Sequence, residues 1–293
     1  MHPPNGSLMQ IEVLNQSWSE YALIDSGNRL KFEKFGPIRV VRSEPKAWWK
    51  PTLSKEEWDQ ADATFDDSAN KWKRKKGCPF SWKMVYRGIT FEAKLTDGSK
   101  HLGIFPEQSP HWDFIHEQIE TGTVKTLLNL FGYTGAASLV AAKAGAKVTH
   151  LDASKPAIAW GRSNQELSQL SERPIRWILD DALKFVQREK RRGRTYDAIC
   201  LDPPSFGRGP KNELWKVEDS IVELLKACHS LMGDQPKMLL LTMYNLEASS
   251  LMLEALVKDV MGKKGHLQFG ELALNHKSGS HQLPLSLFAR WTA

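Results

Sequence analysis

The chain has 293 residues, of which 41% are hydrophobic and 25% are charged, and its formal net charge is +6. This composition is ordinary for a soluble globular protein of one large or two modest domains, and it disfavours a disordered, collagen-like or coiled-coil chain. The mild basic excess is compatible with a nucleic-acid substrate but does not require one.

The sequence predicts a protein that is neither exported nor inserted in a membrane. Its first ten residues lack the cationic and apolar regions of a signal peptide, and no apolar run is long enough to span a bilayer. The three cysteines form no C-x-x-C pair, which fits a reduced, cytoplasmic chain without a disulfide framework. The nine histidines show no metal-binding spacing, so we expect no catalytic metal.

Residues 1–119 are predicted to form a β-rich accessory region, because they show no long helical stripe. Apolar and polar residues alternate over about residues 80–105, with turns at Arg87-Gly88 and Asp97-Gly98. This pattern predicts a β-meander whose last strand is Leu102–Phe105.

Charge and tryptophan also distinguish the first part of the chain. Residues 1–120 carry 17 basic and 17 acidic side chains, so the whole basic excess lies in the remainder. Seven of the 11 tryptophans precede residue 121, where they could supply a homodimer surface or pack on the core. The cationic segment KWKRKK, residues 71–76, could bind RNA phosphates and stack a base on Trp72, or be a solvated loop.

Residues 120–293 alternate between predicted strands and helices. The predicted strands are 124–130, 147–151, 175–179, 196–201, 237–242, 266–274 and 285–291. The predicted helices are 136–144, 154–170, 182–192, 217–232 and 247–261. Repeated β-α units predict a doubly wound, mostly parallel α/β sheet with a ligand site at the carboxyl ends of its strands.

The first of these strands ends in a glycine turn. Asn129 and Leu130 close the strand, Gly132 and Gly135 follow, and a helix begins. Glycines here would let a ligand approach the backbone and the helix N-terminus. The dinucleotide pattern G-x-G-x-x-G is not met, because Leu130 occupies the place of its first glycine. An NAD-dependent oxidoreductase is therefore disfavoured, although it is kept as an alternative.

Acidic residues end the next strands in turn. Asp152 follows the second strand, Asp181 with Ala182 follows the third, and Asp202 follows the fourth. A carboxylate at the end of the second strand could accept the ribose hydroxyls of an adenosine cofactor. Each acid could also be an ordinary helix N-cap, but their succession favours a binding site.

The fourth strand runs into DPPSF, residues 202–206. Consecutive prolines fix the backbone and remove two N–H donors, so we expect a stiff loop with outward carbonyl acceptors. An exocyclic amine of a flat base could donate to Asp202 or to these carbonyls, while Phe206 offers a stacking face. An RNA base would have to be unpaired or flipped to enter.

This set of strand ends resembles the class I S-adenosylmethionine-dependent methyltransferases over roughly residues 102–293. The stretches LGIFPEQ (residues 102–108), NLFGYTG (129–135) and DPPSF are similar, in this order, to the ribosomal-RNA large-subunit methyltransferase I-like group. That resemblance implies a seven-stranded Rossmann-like sheet behind a β-rich N-terminal region, with S-adenosylmethionine as cofactor.

The resemblance also implies roles for individual residues. The implied cofactor-binding residues are Gln108, Asn129, Phe131, Gly132, Tyr133, Thr134, Gly135, Asp152, Ala153, Ser154, Asp181, Ala182 and Asp202, with His111 or Trp112 as further candidates. The implied catalytic residues, which border the target base, are Asp202, Pro203, Pro204 and Phe206.

One departure from the group decides which chemistry we expect. Members that methylate carbon 5 of cytosine carry a cysteine after the fifth strand, whereas this chain has Thr242, Met243, Tyr244 and Asn245 there. We therefore expect direct methylation of a base nitrogen in ribosomal RNA. The alternatives are a protein or small-molecule substrate, cytosine carbon-5 methylation, and a noncatalytic RNA-binding module.

Overall fold

A computed structural model describes residues 10–244, 247–262 and 264–293 of the chain. The strands are β1 (Glu12–Asn15), β2 (Tyr21–Gly27), β3 (Leu30–Phe35), β4 (Ile38–Ser43), β5 (Ala63–Asp66), β6 (Lys71–Arg74), β7 (Ser81–Tyr86), β8 (Ile89–Lys94), β9 (Thr126–Leu130), β10 (Lys147–Asp152), β11 (Ile175–Leu179), β12 (Ala198–Leu201), β13 (Phe206–Arg208), β14 (Leu214–Lys216), β15 (Met238–Tyr244), β16 (His266–Asn275) and β17 (Gln282–Thr292). The helices are α1 (Lys55–Trp58), α2 (Ser109–Glu120), α3 (Ala136–Ala144), α4 (Lys155–Leu167), α5 (Ala182–Arg191), α6 (Val217–His229) and α7 (Ser250–Met261), and a 3-10 turn spans Pro106–Gln108.

The central sheet confirms the predicted doubly wound architecture. Its order is β1-β16-β17-β15-β12-β9-β10-β11, and only β17 pairs antiparallel with its neighbours. The seven predicted strands are all present, and the sheet gains an eighth at its edge, because β1 from the N-terminal part pairs parallel with β16. The carboxyl ends of β9, β10, β11 and β12 therefore lie side by side.

Local sequence explains where the helices of this core begin. Ser154 caps α4 by accepting a hydrogen bond from the Ala157 N–H at 3.3 Å, and Asp181 caps α5 by accepting from the Lys184 N–H at 2.9 Å. Capping satisfies N–H groups that have no partner inside the helix. Because both caps directly follow a strand, they hold the first turns of α4 and α5 at the carboxyl edge of the sheet.

The N-terminal part is β-rich, as predicted, with one correction to the meander. Strands β2 to β6 form a sheet in chain order, and β7 pairs with β8 as a separate two-stranded hairpin. The predicted third strand, Leu102–Phe105, is not a strand. Gly103 has φ +90°, and a side chain there would overlap the Trp160 ring, so the chain turns away into the 3-10 helix.

Several tryptophans among residues 1–120 pack into the protein interior. Trp18, Trp72 and Trp112 are buried in one apolar cluster that also contains Leu139 and Leu285, so the N-terminal elements share a core with the α/β sheet. Because Trp72 is buried, it is not available to stack a base, which corrects one reading of the KWKRKK segment. A domain division after residue 119 stays a prediction.

Two further observations bear on the predictions from sequence. The hairpin of β13 and β14, which begins at the last residue of DPPSF, was not predicted, because its two strands have only three residues each. No helix among the described residues is long and apolar enough to cross a membrane.

Candidate active site

The candidate site is a cavity of about 460 Å³ at the carboxyl ends of β10, β11 and β12. We call it the outer cavity, and its floor includes Asp152, Asp181 and Asp202, the three acids that follow those strands. Parallel strands that end at one edge bring their following residues together, which is why acids 50 positions apart in sequence share this space. The volume is in the range of ligand-binding clefts.

A smaller space of about 60 Å³, the inner cavity, shares four wall residues with the outer one: Phe105, Phe131, Tyr133 and Asp202. It extends under the glycine turn toward the start of α2, which contributes His111 and Trp112. The two cavities therefore form a branched site, wide near Asp152 and Asp181 and narrow behind Asp202.

The structure places most of the predicted site residues in these walls. The outer cavity is lined by Phe131, Tyr133, Asp152, Ala153, Ser154, Asp181, Ala182, Asp202, Pro203 and Pro204. The inner cavity is lined by Gln108, Asn129, Phe131, Gly132, Tyr133, Thr134 and Asp202. Gly135 and Phe206 line neither cavity.

The glycine at the centre of the turn is required by packing from beneath. A Cβ on Gly132 would lie 2.4 Å from Cε1 of His150 and 2.9 Å from Nδ2 of Asn129. The expectation that this glycine opens the backbone to a ligand is therefore incomplete. Its missing side chain also makes room for two core side chains, Asn129 and His150, which are hydrogen-bonded to Ser138 at 2.9 Å each.

Two bulky residues of the same turn adopt a left-handed backbone conformation. Phe131 has φ 57° and Tyr133 has φ 51°, values that side chains of this size rarely adopt. Each ring is held by aromatic contacts, Phe131 to Trp215 at 5.1 Å and Tyr133 to Phe105 at 5.5 Å between ring centroids. Strained backbone of this kind is concentrated at functional sites, and here it turns both rings into the walls of the cavities.

Asp152 is anchored by the backbone around it. Its Oδ2 accepts a hydrogen bond from the Tyr133 N–H and its Oδ1 accepts one from the Ser154 N–H, each at 2.8 Å. Burial raises the pKa of this carboxyl above its usual value, although the two hydrogen bonds oppose the shift. A carboxylate has about four lone-pair positions, so acceptor capacity remains for hydroxyl groups of a ligand.

Asp181 and Ser154 line the outer cavity while they cap helices, so the ordinary capping role is real for both. Asp181 Oδ1 holds the Lys184 N–H, and the neighbouring Asp180 is paired with Arg188 at 2.6 Å. The second carboxylate oxygen of Asp181, which is not used in the cap, is therefore the freer acceptor for a ligand.

Asp202 is the most enclosed acid of the site. Its Oδ2 accepts a hydrogen bond from Gln108 Nε2 at 3.2 Å, whereas Oδ1 is buried without a partner among the described residues. The same Gln108 nitrogen donates to the Tyr244 hydroxyl at 3.0 Å, and that hydroxyl donates to Glu107 at 3.3 Å. Burial, followed by the Glu107 and Asp152 carboxylates, raises the pKa of Asp202 well above its usual range.

The proline loop is fixed at one end by a tryptophan. Trp215 Nε1 donates a hydrogen bond to the Pro204 carbonyl at 2.7 Å, and the Val217 N–H donates to the Ser205 carbonyl at 3.1 Å. The expectation that both proline carbonyls face outward as free acceptors is therefore wrong for Pro204. The ring of Phe206 is 57% exposed, outside both cavities.

Several wall residues were not predicted. Phe105, His101 and Trp215 line the outer cavity, as does Tyr244 at the end of β15. Tyr244 could have been found by the argument that located the acids, because it ends a strand of the same parallel set. No sequence pattern pointed to Trp215 as a site residue, because the β13–β14 hairpin that carries it was not predicted.

No group of three or more histidine, cysteine or acidic side chains within the described ranges is arranged to hold a metal ion. The expectation of a metal-independent site stays a prediction.

Comparisons with known proteins agree with this geometry. Residues 60–233 match the family profile described as S-adenosylmethionine-dependent methyltransferase. The chain is 42% identical to the S-adenosylmethionine-dependent methyltransferase from Agrobacterium tumefaciens, whose crystal structure superposes with a TM-score of 0.92 and covers 96% of this chain and 93% of the other.

Curated relatives match a shorter part of the chain. It is 37% identical over 140 residues to the ribosomal RNA large subunit methyltransferase K/L of Pseudoalteromonas translucida, a match that covers 47% of this chain and 19% of the relative. The protein of the same name from Syntrophotalea carbinolica is 33% identical over 150 residues, which cover 48% of this chain and 20% of the relative. The chain thus matches only about a fifth of the length of these relatives.

Proposed function

The chain belongs to the S-adenosylmethionine-dependent methyltransferases, and on this premise we propose that it methylates a nitrogen of a base in ribosomal RNA. The cofactor supplies a methyl group on a positively charged sulfur, which a nitrogen lone pair can attack. The contribution of the protein is then to bind the cofactor and the base, to align them, and to exclude water from the site.

The walls of the branched site fit this cofactor. Asp152 has acceptor positions left for the ribose hydroxyls, and Asp181 with Ala182 lies beside it for the adenine. The glycine turn and Gln108 border the narrow inner cavity, where the amino-acid end would lie. The family assignment and the missing first glycine of the dinucleotide pattern together set aside the NAD-dependent oxidoreductase.

The single observation that carries the nitrogen assignment is the free Oδ1 of Asp202. A buried acceptor without a partner is unfavourable, so the site is complete only when a donor occupies it. An amine or ring N–H of a base provides that donor and would be held with its nitrogen toward the methyl group. Gln108 fixes the other oxygen, so the free one has a defined direction.

The proline loop keeps the position of this acceptor constant. Pro203 and Pro204 limit the backbone, and the hydrogen bond from Trp215 ties the Pro204 carbonyl to the β13–β14 hairpin. The Pro203 carbonyl is the one left for a second contact with an amine. The exposed ring of Phe206 lies next to this loop in sequence and offers a stacking surface to a flipped or flanking base.

A covalent route through cysteine has little support. Cys200 lies inside β12, and burial raises its pKa to about 12. Burial likewise raises the pKa of Cys228 in α6 and, more weakly, of Cys78. A nucleophilic cysteine needs a lowered pKa, so direct transfer to a nitrogen is favoured over addition to carbon 6 of cytosine.

The RNA assignment has separate support. The curated relatives are named for ribosomal RNA, and the basic excess of the chain lies in residues 121–293, which carry 23 basic and 17 acidic side chains. A ribosomal RNA substrate would place the protein in the cytoplasm. A homodimer remains a separate prediction from the Trp-rich N-terminal part.

The test is transfer of labelled methyl from the cofactor into ribosomal RNA, with total protein as the competing acceptor, followed by nucleoside analysis. We expect label in RNA on a base nitrogen, and we expect Asp202→Ala to lower turnover about a hundredfold while the affinity for S-adenosylhomocysteine changes less than about threefold. Label on protein or on carbon 5 of cytosine would support the alternatives instead. Cofactor and RNA binding without transfer would indicate a noncatalytic module.

A further inference from the structure

A buried pair of side chains, His111 and Arg290, lies at the inner cavity, whose wall includes His111. His111 is 1% exposed and Arg290 is 7% exposed. Arg290 approaches His111 Nδ1 with Nε at 2.9 Å and Nη2 at 2.7 Å. Since guanidinium only donates hydrogen bonds, Nδ1 must be the acceptor, and the neutral imidazole therefore carries its hydrogen on Nε2.

The Nε2–H of His111 lacks an acceptor. It is buried and has no hydrogen-bond partner among the described residues, and His111 is part of the inner cavity wall. Burial and the Arg290 charge lower the pKa of His111 well below its usual value, so the ring stays neutral and the N–H stays a donor. An unsatisfied buried donor costs about 1–3 kcal/mol, which a ligand acceptor in the cavity would recover.

Arg290 makes this donor attractive to an anion in particular. Within the described part of the chain it forms no ion pair, and its guanidinium lies over the rings of Phe114 at 4.6 Å and Phe288 at 5.4 Å. Burial lowers the pKa of Arg290 to about 10, so the group is still cationic at neutral pH. The carboxylates of Glu12, Glu117 and Asp113 act on Arg290 from beyond ion-pair distance, so none of them neutralises it directly. The cation therefore still favours a negative ligand beside the imidazole that it polarises, and the imidazole transmits that preference to Nε2.

The N-terminus of α3 adds to the preference for an anion. The first turn of α3 lines the inner cavity through Ala136 and Ala137, and no side chain of the described residues caps this helix. Uncapped N–H groups and the helix dipole both favour negative charge. With about 60 Å³, the cavity has room for a carboxylate but not for a purine ring.

We propose that His111, polarised by Arg290, binds the α-carboxylate at the amino-acid end of the cofactor. This inference rests on the S-adenosylmethionine-dependent activity of the family. His111 is then a cofactor-binding residue supplied from α2, outside the strand-end motifs, and Arg290 is a positioning residue that fixes its tautomer and supplies the charge. The specificity that follows is for a ligand that carries a carboxylate beside its amine.

The test compares two ligands that differ only in that carboxylate. S-adenosylhomocysteine and its decarboxylated analogue are titrated calorimetrically into the wild type, His111→Leu, His111→Gln and Arg290→Met. We expect the wild type to prefer S-adenosylhomocysteine by at least about tenfold, as a hydrogen bond to a charged group requires. His111→Leu and Arg290→Met should bring the ratio close to one, and His111→Gln, whose amide can donate, should keep part of it.

The matched control is His276→Leu. His276 is also buried, with Nε2 2.6 Å from Ser26 Oγ, but it lines neither cavity, so its removal should leave the ligand ratio unchanged. A second measurement uses the wild type alone. The NMR signal of the His111 imidazole N–H should shift when S-adenosylhomocysteine binds, and it should not shift when the decarboxylated analogue binds.

The failures of the two proposals can be told apart. The role of His111 is overturned if His111→Leu keeps the wild-type preference for S-adenosylhomocysteine. It is also overturned if the His111 imidazole signal responds equally to both ligands. Either result leaves cofactor binding itself intact. If the wild type binds neither ligand, both this inference and the methyltransferase proposal fail.

Discussion

At the scale of single residues, the acids of the site differ in how much of each carboxylate the protein itself uses. Asp152 accepts hydrogen bonds from two backbone N–H groups, Asp181 caps a helix, and Asp202 keeps one oxygen without a partner in the part of the chain that the structure describes. Sequence placed all three at strand ends but could not separate these roles, because the roles depend on which donors the folded backbone presents.

We expect Asp152→Ala to weaken S-adenosylhomocysteine binding by at least about tenfold, because it removes the acceptors for ribose hydroxyls and releases the Tyr133 N–H that shapes the turn. Calorimetric titration measures the affinity, and the thermal unfolding midpoint checks that the fold is kept. Unchanged affinity in a folded variant would remove Asp152 from the cofactor site.

The raised pKa of Asp202 predicts how turnover depends on pH. The ionised carboxylate is the form that accepts a hydrogen bond from the target base, so turnover should fall as pH falls through this pKa. Burial is the first cause of the raised value and Glu107 the second, so Glu107→Gln should lower the pKa and move the acidic limb of the profile to lower pH.

The measurement is the pH profile of turnover for the wild type, Glu107→Gln and, as control, Glu120→Gln, whose side chain is 63% exposed on α2. The control should keep the wild-type profile. If the acidic limb of the profile lies at the same pH in Glu107→Gln as in the wild type, the ionisation of Asp202 does not govern that limb.

At the scale of elements, the β13–β14 hairpin acts as a brace for the proline loop. Trp215 is buried, contacts Phe131 and donates to the Pro204 carbonyl, so one side chain links the glycine turn, the hairpin and the DPPSF loop. A three-residue strand carries too little periodicity to be recognised in sequence, and this is why the brace was missed.

We expect Trp215→Phe to lower turnover by about three- to tenfold, since the ring still packs but the loop loses a hydrogen bond of about 1 kcal/mol. The affinity for S-adenosylhomocysteine should change less than turnover. The control is Trp291→Phe, which removes a similar bond from Nε1 to the Lys264 carbonyl at 2.9 Å, outside both cavities. Equal losses of turnover in the two variants would contradict a role for the brace.

At the scale of the whole molecule, the N-terminal sheet is joined to the central sheet by buried polar contacts. Asp25 in β2 accepts hydrogen bonds from the Leu53 N–H at 2.8 Å, from Trp58 at 3.0 Å and from Ser278, in the β16–β17 connection, at 3.1 Å. One carboxylate thus satisfies donors from two segments that are distant from each other in sequence.

Asp25→Asn should lower the free energy of unfolding by about 1–3 kcal/mol at about pH 7, because one acceptor oxygen becomes a donor facing other donors. Burial opposes ionisation of Asp25, but the hydrogen bonds outweigh it and lower the pKa below 3.8. The contribution is therefore fully present above the unfolded-state pKa and is lost as pH falls through the folded-state pKa.

Urea unfolding of wild type and variant over a range of pH checks this prediction, with Asp97→Asn at an exposed turn as the control. The difference between wild type and Asp25→Asn should shrink as pH falls below the unfolded-state pKa of Asp25. A difference that is independent of pH would mean that the charge of Asp25 does not stabilise the contact.

Much of the α/β core was determined by the sequence alone. The helix Ala136–Ala144 and the strand Ile175–Leu179 have the bounds that were predicted, because their limits are set locally by glycines, caps and short apolar runs. The acids at the strand ends and the absence of a cysteine after the fifth strand followed from the same local reading. The acids indicated a methyltransferase, and the missing cysteine led to the proposal of direct transfer.

Only the tertiary structure decided which groups meet. His111 and Arg290 are 179 positions apart and Tyr244 and Glu107 are 137 apart, yet both pairs are in contact in the interior. The pairing of β1 with β16 and the packing of the Trp160 ring against Gly103 are likewise contacts between distant segments. Local pattern fixes backbone conformation over a few residues, whereas burial, unpaired donors and shifted pKa values arise from packing between segments, which no short stretch of sequence contains.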